Sequence, residues 1–187
     1  MLEREEAVLV VIDVQGKLAQ LMHEKSRLFK SVRALVQGAR ILGIPMILTE
    51  QVPEKLGPTI PEVRELMSDC DPIWKNTFSC VREGAFKERL DQLGRRNVII
   101  AGIETHVCVY QTVRDLLERG NHVEIATDAV SSRSAENRNI GLTRMKSEGA
   151  YLTSVEMVLF ELQEVAKGEE FRELSKLIKE FGAADQR

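Results

Sequence analysis

Six consecutive apolar residues, Ala7-Val8-Leu9-Val10-Val11-Ile12, run without interruption into Asp13. Neighbouring side chains of an extended strand point to opposite faces, so a run with no polar member has both faces covered. Such strands belong to the interior of parallel sheets packed between helices. A second run, Asn97-Val98-Ile99-Ile100, behaves the same way and leads into Ala101-Gly102-Ile103-Glu104-Thr105-His106-Val107-Cys108. An amphipathic helical pattern, Val109 to Glu118, leads out of it. The chain therefore places a cysteine where a buried strand hands over to a helix.

Strand and helix signals alternate along the rest of the chain. A short helix is expected over Gln15–Met22. Ser26 is the expected N-cap of a helix through Leu42, with apolar positions Leu28, Val32, Leu35, Val36, Ala39 and Leu42. Gly43 stops it, and Pro45 opens the turn into a second strand, Met46–Thr49. Glu50–Pro61 carries Pro53, Gly57, Pro58 and Pro61 and reads as a long loop. A short helix over Glu62–Met67, a strand over Pro72–Lys75 and a helix over Glu83–Leu93 come next. The fourth strand covers Asn97–Ala101. The helix after Cys108 runs to about Arg119, where Gly120 caps it. Strand His122–Ala126, a helix from Ser134 or Ala135 to Gly149, and strand Tyr151–Thr153 complete the alternation. Closing helices are expected over Glu156–Leu162 and Phe171–Phe181, with a frayed tail over Gly182–Arg187. No repeat or linker divides the chain, so residues 1–187 form one domain, with its core over about 7–162 and a helical extension over 163–187. Alternating βαβ units imply a parallel sheet with helices on both faces and right-handed crossovers.

Composition narrows the function classes. The 43% hydrophobic and 29% charged content is ordinary for a globular domain of this size. Lys and Arg number 26 against 29 Asp and Glu, a net charge of −3, which implies no nucleic-acid partner. No apolar run approaches a membrane span, and the acidic start, Met1-Leu2-Glu3-Arg4-Glu5-Glu6, has no apolar signal core. Three cysteines, Cys70, Cys80 and Cys108, suit reduced thiols better than a disulfide framework. The expected setting is cytoplasmic.

Ligands of open parallel sheets bind outside the carboxyl ends of the strands. Asp13, Lys75 and Cys108 all fall there. A thiol at a helix N-terminus is stabilised as thiolate by the helix dipole, and the free N–H groups suit an oxyanion. Burial raises the pKa of Asp13 and makes it a better base near neutral pH. Lys75 would stabilise negative charge on Asp13, on the thiolate and on a developing oxyanion. Taken singly, Asp13 could instead cap the short helix, Lys75 could be an exposed loop lysine, and Cys108 could plug the top of the sheet. Jointly, the three placements favour chemistry.

Val10-Val11-Ile12-Asp13-Val14-Gln15, Trp74-Lys75-Asn76-Thr77-Phe78-Ser79 and Ala101-Gly102-Ile103-Glu104-Thr105-His106-Val107-Cys108 resemble, in order and spacing, the isochorismatase-like cysteine hydrolase superfamily. The likeness spans roughly Ala7 to Leu162. The loop Thr49–Gly57 resembles most the isochorismatase domain-containing branch. The resemblance implies a three-layer α/β/α fold with a six-stranded parallel sheet. It implies Cys108 as nucleophile, Asp13 as general base and Lys75 as supporting cation. It further implies a cis peptide between Ile103 and Glu104, and an oxyanion hole from the backbone N–H groups of Glu104 and Cys108.

Departures from the family pattern matter as well. Nicotinamidases of this superfamily hold a metal with an Asp-x-His pair and further histidines, whereas Thr49–Thr59 contains none. His23, His106 and His122 show no ligand spacing, so no metal and no cofactor are expected, and nicotinamide is disfavoured. Isochorismatases that cleave a vinyl ether can lack the cysteine, so Cys108 points to an amide-like C–N bond in a small molecule. Two rival readings are a non-catalytic interaction protein and an ether-cleaving hydrolase. His106 is read as structural or supporting. Trp74 and Phe78 could wall an apolar pocket or simply pack, and Gln15, Gln51 and Asn76 could orient a substrate amide. Cys70 and Cys80 are read as packing residues. The resemblance also implies a homo-oligomer. The apolar face Val109, Val113, Leu116 and Leu117, the segments Thr143–Glu148 and Ser131–Ser134, and Tyr110, Arg114 and Arg133 are the expected contact positions.

Overall fold

The computed structural model describes residues 2–183. In chain order it contains β1 (Ala7–Ile12), α1 (Gly16–Gln20), α2 (Lys25–Ile41), β2 (Met46–Gln51), α3 (Pro53–Leu56), α4 (Pro61–Arg64), β3 (Ile73–Lys75), α5 (Gly84–Leu93) and β4 (Asn97–Ile103). Then follow α6 (Tyr110–Glu118), β5 (His122–Ser131), α7 (Ala135–Ser147), β6 (Tyr151–Thr153), α8 (Val155–Gln163) and α9 (Glu169–Ala183). The six strands form one parallel sheet in the order β3-β2-β1-β4-β5-β6. Of the expected tail, Gly182 continues α9, and residues 184–187 lie outside the described residues.

The two faces of β1 show why its sequence is apolar throughout. Ala7, Leu9 and Val11 enter the core beneath α2, α8 and α9, with Leu28, Val32, Leu35, Leu159 and Leu174. Val8, Val10 and Ile12 enter the opposite core beneath α5, α6 and α7, with Phe86, Val113, Leu116 and Met145. All six β1 residues are fully buried, and each large side chain contributes roughly 1.5–3 kcal/mol of burial.

Several element ends differ from the sequence expectation. Ser26 lies inside α2, whose N-cap is Glu24 in left-handed backbone (φ 49°) with no side-chain cap. Glu50–Pro61 is not wholly loop: β2 continues to Gln51, and α3 fills part of the rest. β5 runs past the half-buried polar residues Thr127 and Asp128 to Ser131, because a register shift after Ile100 lets the ladder resume at Gly102↔Val130. Side-chain caps hold α7, where Ser134 accepts from the Asn137 N–H, and α8, where Ser154 accepts from Met157.

β1 and β4 are neighbours, yet the chain leaves β1 toward β2 on one side and β4 toward β5 on the other. Their carboxyl ends therefore border the crevice where such sheets bind ligands. Gly102 lets them meet closely there. Its φ is +128°, and a Cβ would sit 2.1 Å from the Ile12 carbonyl oxygen. Among the described residues no helix is long and apolar enough to cross a membrane.

Candidate active site

Asp13 is the first residue past β1 and adopts left-handed backbone (φ 52°), a region that aspartate tolerates better than most residues. Its side chain turns into the crevice and is 2% exposed. Oδ1 accepts the Thr49 hydroxyl at 2.8 Å. Oδ2 lies 2.6 Å from Lys75 Nζ; it has no partner in hydrogen-bond geometry and is compensated by the ammonium charge. Asp13 does not cap α1, which begins after Gln15 without a side-chain cap.

Lys75 ends β3 in register with Gln51, and its side chain is fully buried. Besides Asp13, its ammonium reaches Gln51 Oε1 (2.5 Å) and the carbonyls of Thr77 (3.2 Å) and Phe78 (3.1 Å). A buried ammonium needs such a set of acceptors to remain charged. Burial alone would lower its pKa, but the facing Asp13 carboxylate and the Cys80 and Cys108 sulfurs more than offset that and leave it raised. Asp13 is likewise raised, because burial outweighs the help of Lys75, Thr49 and Cys108.

Cys108 does not sit at the first residue of a helix. It lies within a wide π-helical turn, Thr105–Val109, that joins β4 to α6. The Val107 and Val109 N–H groups both donate to the Glu104 carbonyl, at 3.0 and 3.2 Å. Turns of this width recur at functional sites. α7 packs against this one through Gly141, where a Cβ would meet the Thr105 carbonyl at 3.0 Å. Burial and the Asp13 carboxylate push the Cys108 thiol well above the ordinary value, and Lys75 offsets only part of this. The lowered thiol pKa expected from the sequence is thus reversed by burial and by the nearby Asp13 carboxylate.

The peptide between Ile103 and Glu104 is cis. The Glu104 carboxylate accepts the Arg133 N–H (3.0 Å) and its Nε (3.1 Å), which ties the segment after β5 to the turn. His106 Nδ1 lies 2.9 Å from Ser132 Oγ on that same segment.

The five expected pocket residues divide. Gln51 belongs to the site: its Oε1 receives Lys75 and stands 3.9 Å from Cys108 Sγ, and its Nε2 donates to the Asn76 carbonyl. Gln15 is occupied elsewhere. It accepts the Gln51 N–H (2.6 Å) and donates to the carbonyls of Gly57 (2.7 Å) and Gln51 (3.3 Å), so it fastens the segment after β2 and has no amide left to orient a substrate. Asn76 is exposed, and its N–H donates to Glu83. Trp74 alternates with Lys75 on β3 and is 68% exposed, and Phe78 is 53% exposed, so neither forms a closed wall.

Two residues that face Asp13 carried no signal of their own in the sequence. Thr49 pairs with Ile12 in the sheet register, so the strand-end rule that picks out Asp13 also reaches it once the register is known. Cys80, read as a packing residue, is fully buried beneath the site, with its thiol 3.8 Å from Thr49 Oγ1. Nothing in its sequence neighbourhood marks it. Among the described residues no group of three or more His, Cys, Asp or Glu side chains could hold a metal ion. His23 is exposed, and His122 bonds Glu124 and stacks on Tyr151.

The isochorismatase domain family model matches residues 7–157. Isochorismatase domain-containing protein 2 of Danio rerio is 38% identical over 92% of this chain and 86% of its own. The secreted isochorismatase effector Isc1 of Phytophthora sojae is 36% identical over 93% and 85%. Among solved structures, the MAR1 ribonuclease of Caenorhabditis elegans superposes with a TM-score of 0.87 at 38% identity, covering 95% of this chain and 91% of that one. The Escherichia coli YcaC gene product, described as an octameric hydrolase of unknown specificity, gives 0.90 at 26% identity, covering 99% and 94%. The chain belongs to the isochorismatase family of hydrolases.

Proposed function

We propose that this protein is a cysteine hydrolase acting on an amide-like C–N bond of a small molecule. The observation that carries the reading is the convergence of three strand ends: Asp13 after β1 meets Lys75 of β3 at 2.6 Å, and the Cys108 thiol beyond β4 hydrogen-bonds, at 3.9 Å, the same Gln51 oxygen that Lys75 reaches. Asp13 takes the thiol proton as the sulfur attacks the substrate carbonyl carbon. The Glu104 and Cys108 backbone N–H groups receive the oxyanion. Collapse of the tetrahedral species expels the amine, which leaves with the proton held by Asp13. Water then attacks the thioester, giving its proton to Asp13. The carboxylic acid departs, and the thiol is restored. Lys75 stays charged throughout and keeps Asp13 in place. The raised resting thiol fits this sequence, because proton transfer accompanies attack and no free thiolate is stored.

The ribonuclease activity named for the nematode relative finds less support here. A phosphodiester needs accessible cations, whereas Lys75 is buried and already paired. We also place the chain in a reducing compartment, since all three cysteines are free, and read it as a homo-oligomer. The exposed Trp74 and Phe78 beside the Lys75 loop and the octameric state named for the Escherichia coli neighbour support the assembly.

The test is a screen of small amides and ureides for ammonia release, repeated after exhaustive chelation. A turned-over substrate should form a thioester adduct trapped on Cys108, and Cys108→Ser should lower kcat by about a thousandfold or more. Turnover that survives Cys108→Ser, or that disappears on chelation, defeats the reading.

A further inference from the structure

The hydrolytic cycle uses Asp13, Lys75 and Cys108 and gives no part to Thr49, a fully buried hydroxyl that contacts Asp13 directly. Thr49 is held on both sides. Its Oγ1 donates to Asp13 Oδ1 at 2.8 Å and accepts the Cys80 thiol at 3.8 Å. Its backbone carbonyl accepts the Asp13 N–H at 3.2 Å, so β2 grips the carboxylate residue by main chain and side chain together. A hydroxyl carries one proton and two lone pairs. With a thiol directed at its oxygen, the Thr49 proton is committed to Asp13.

Cys80 suits that task. It is anchored by its own N–H donating to Thr112 Oγ1 at 3.0 Å. Burial pushes its thiol up to about 11, so it remains a donor at neutral pH. We infer that Thr49, backed by Cys80, is a positioning residue that presents the Asp13 carboxylate to Lys75 and Cys108. The role rests on Asp13 being the base of the proposed hydrolase.

The groups facing Asp13 are Thr49 from β2, Lys75 from β3, Cys108 from the turn after β4, and Cys80 from the turn before α5. Of these, only Thr49 can be made apolar at nearly constant shape and without removing a charge or a thiol. Thr49→Val removes the donor and so weakens the ionised form of Asp13.

The experiment follows iodoacetamide labelling of Cys108 against pH by peptide mass spectrometry, which needs no substrate. Native protein should show an acid limb, below which labelling fails because the Asp13–Cys108 pair holds both protons. In Thr49→Val the midpoint of that limb should rise by about one pH unit, the value of a typical hydrogen bond to a charged group. Thr49→Ser, which keeps the hydroxyl, should return it to the native position. Cys80→Ala should move it in the same direction by less. If Thr49→Val fails to fold, Thr49→Ala carries the same expectation. A limb unmoved by loss of the hydroxyl in a folded variant overturns the role of Thr49 while leaving the hydrolase reading intact. A native limb that Asp13→Asn does not abolish overturns both.

Discussion

Asp13, Lys75 and Cys108 share one buried site, and burial shapes what each can do. Lys75 sits among four acceptors, one of them charged. Lys75→Met should therefore destabilise the fold by about 3–5 kcal/mol, because it leaves Asp13 as an unpaired buried carboxylate. The loss should depend on pH in a definite sense. Without the ammonium, burial raises the folded-state pKa of Asp13 further above its unfolded value. The folded variant then binds the proton more tightly, so its deficit is smallest below the unfolded pKa and grows as pH rises through the folded one. Thermal melts of native protein and Lys75→Met at acidic and neutral pH check this. A deficit that shrank toward neutral pH would contradict the buried-pair account. Cys108 makes the same point for nucleophilicity: a cysteine near a helix suggests a thiolate, but an adjacent carboxylate and burial hold the proton on.

At the level of elements, the site depends on how closely β1 and β4 approach. Gly102→Ala should destabilise by about 4 kcal/mol or more, since both its positive φ and the Ile12 backbone 2.1 Å from the new Cβ forbid the methyl. Loss of soluble, cooperatively melting protein is the expected result, and a native-like melt would show that β4 can shift away from β1. α8 offers a graded comparison. Ser154→Ala removes the N-cap acceptor of Met157 and should cost about 1 kcal/mol, visible as a lower thermal midpoint with unchanged Cys108 labelling. α6 carries a different lesson. Of the apolar face expected to meet a partner, Val109 in the turn before it and Val113 and Leu116 on it are fully buried in the protein's own core, and Leu117 is half-buried against that core. Ser131 and Ser132 are buried as well, with their partners His23 and His106 inside the chain. An amphipathic helix over a parallel sheet spends its apolar face on that sheet first.

For the whole molecule, part of the expected contact set stays at the surface: Arg114, Thr143, Arg144 and Lys146–Glu148 are exposed. Arg133 is turned toward Glu104, and Tyr110 bonds Glu148 beneath the Arg144 guanidinium, 4.6 Å from the ring centroid. Trp74 and Phe78 remain more than half exposed beside the Lys75 loop. A homo-oligomer that closes the site from that side should bury both. Light scattering at micromolar concentration should give a mass of at least two chains, and Trp74 fluorescence should shift to the blue relative to dilute protein. A monomeric mass would remove the shared-pocket proposal.

The layers and the rim are legible in local pattern alone. Unbroken apolar runs specify strands buried on both faces, and their alternation with helical patterns specifies a parallel sheet. The strand-end rule then locates Asp13, Lys75 and Cys108, because side-chain period and chain direction are local properties. Contacts between distant segments depend on register and packing, which local pattern does not encode. Strand register aligns Thr49 with Ile12 and so brings its hydroxyl to Asp13, and Cys80 reaches Thr49 from a turn with no periodic signal. Gln15 and Gln51 read alike as strand-end glutamines, yet one is consumed by backbone groups and the other meets Lys75. Protonation follows the same division. Residue type names the groups that can ionise, but burial and the distance to neighbouring charges decide which of them do.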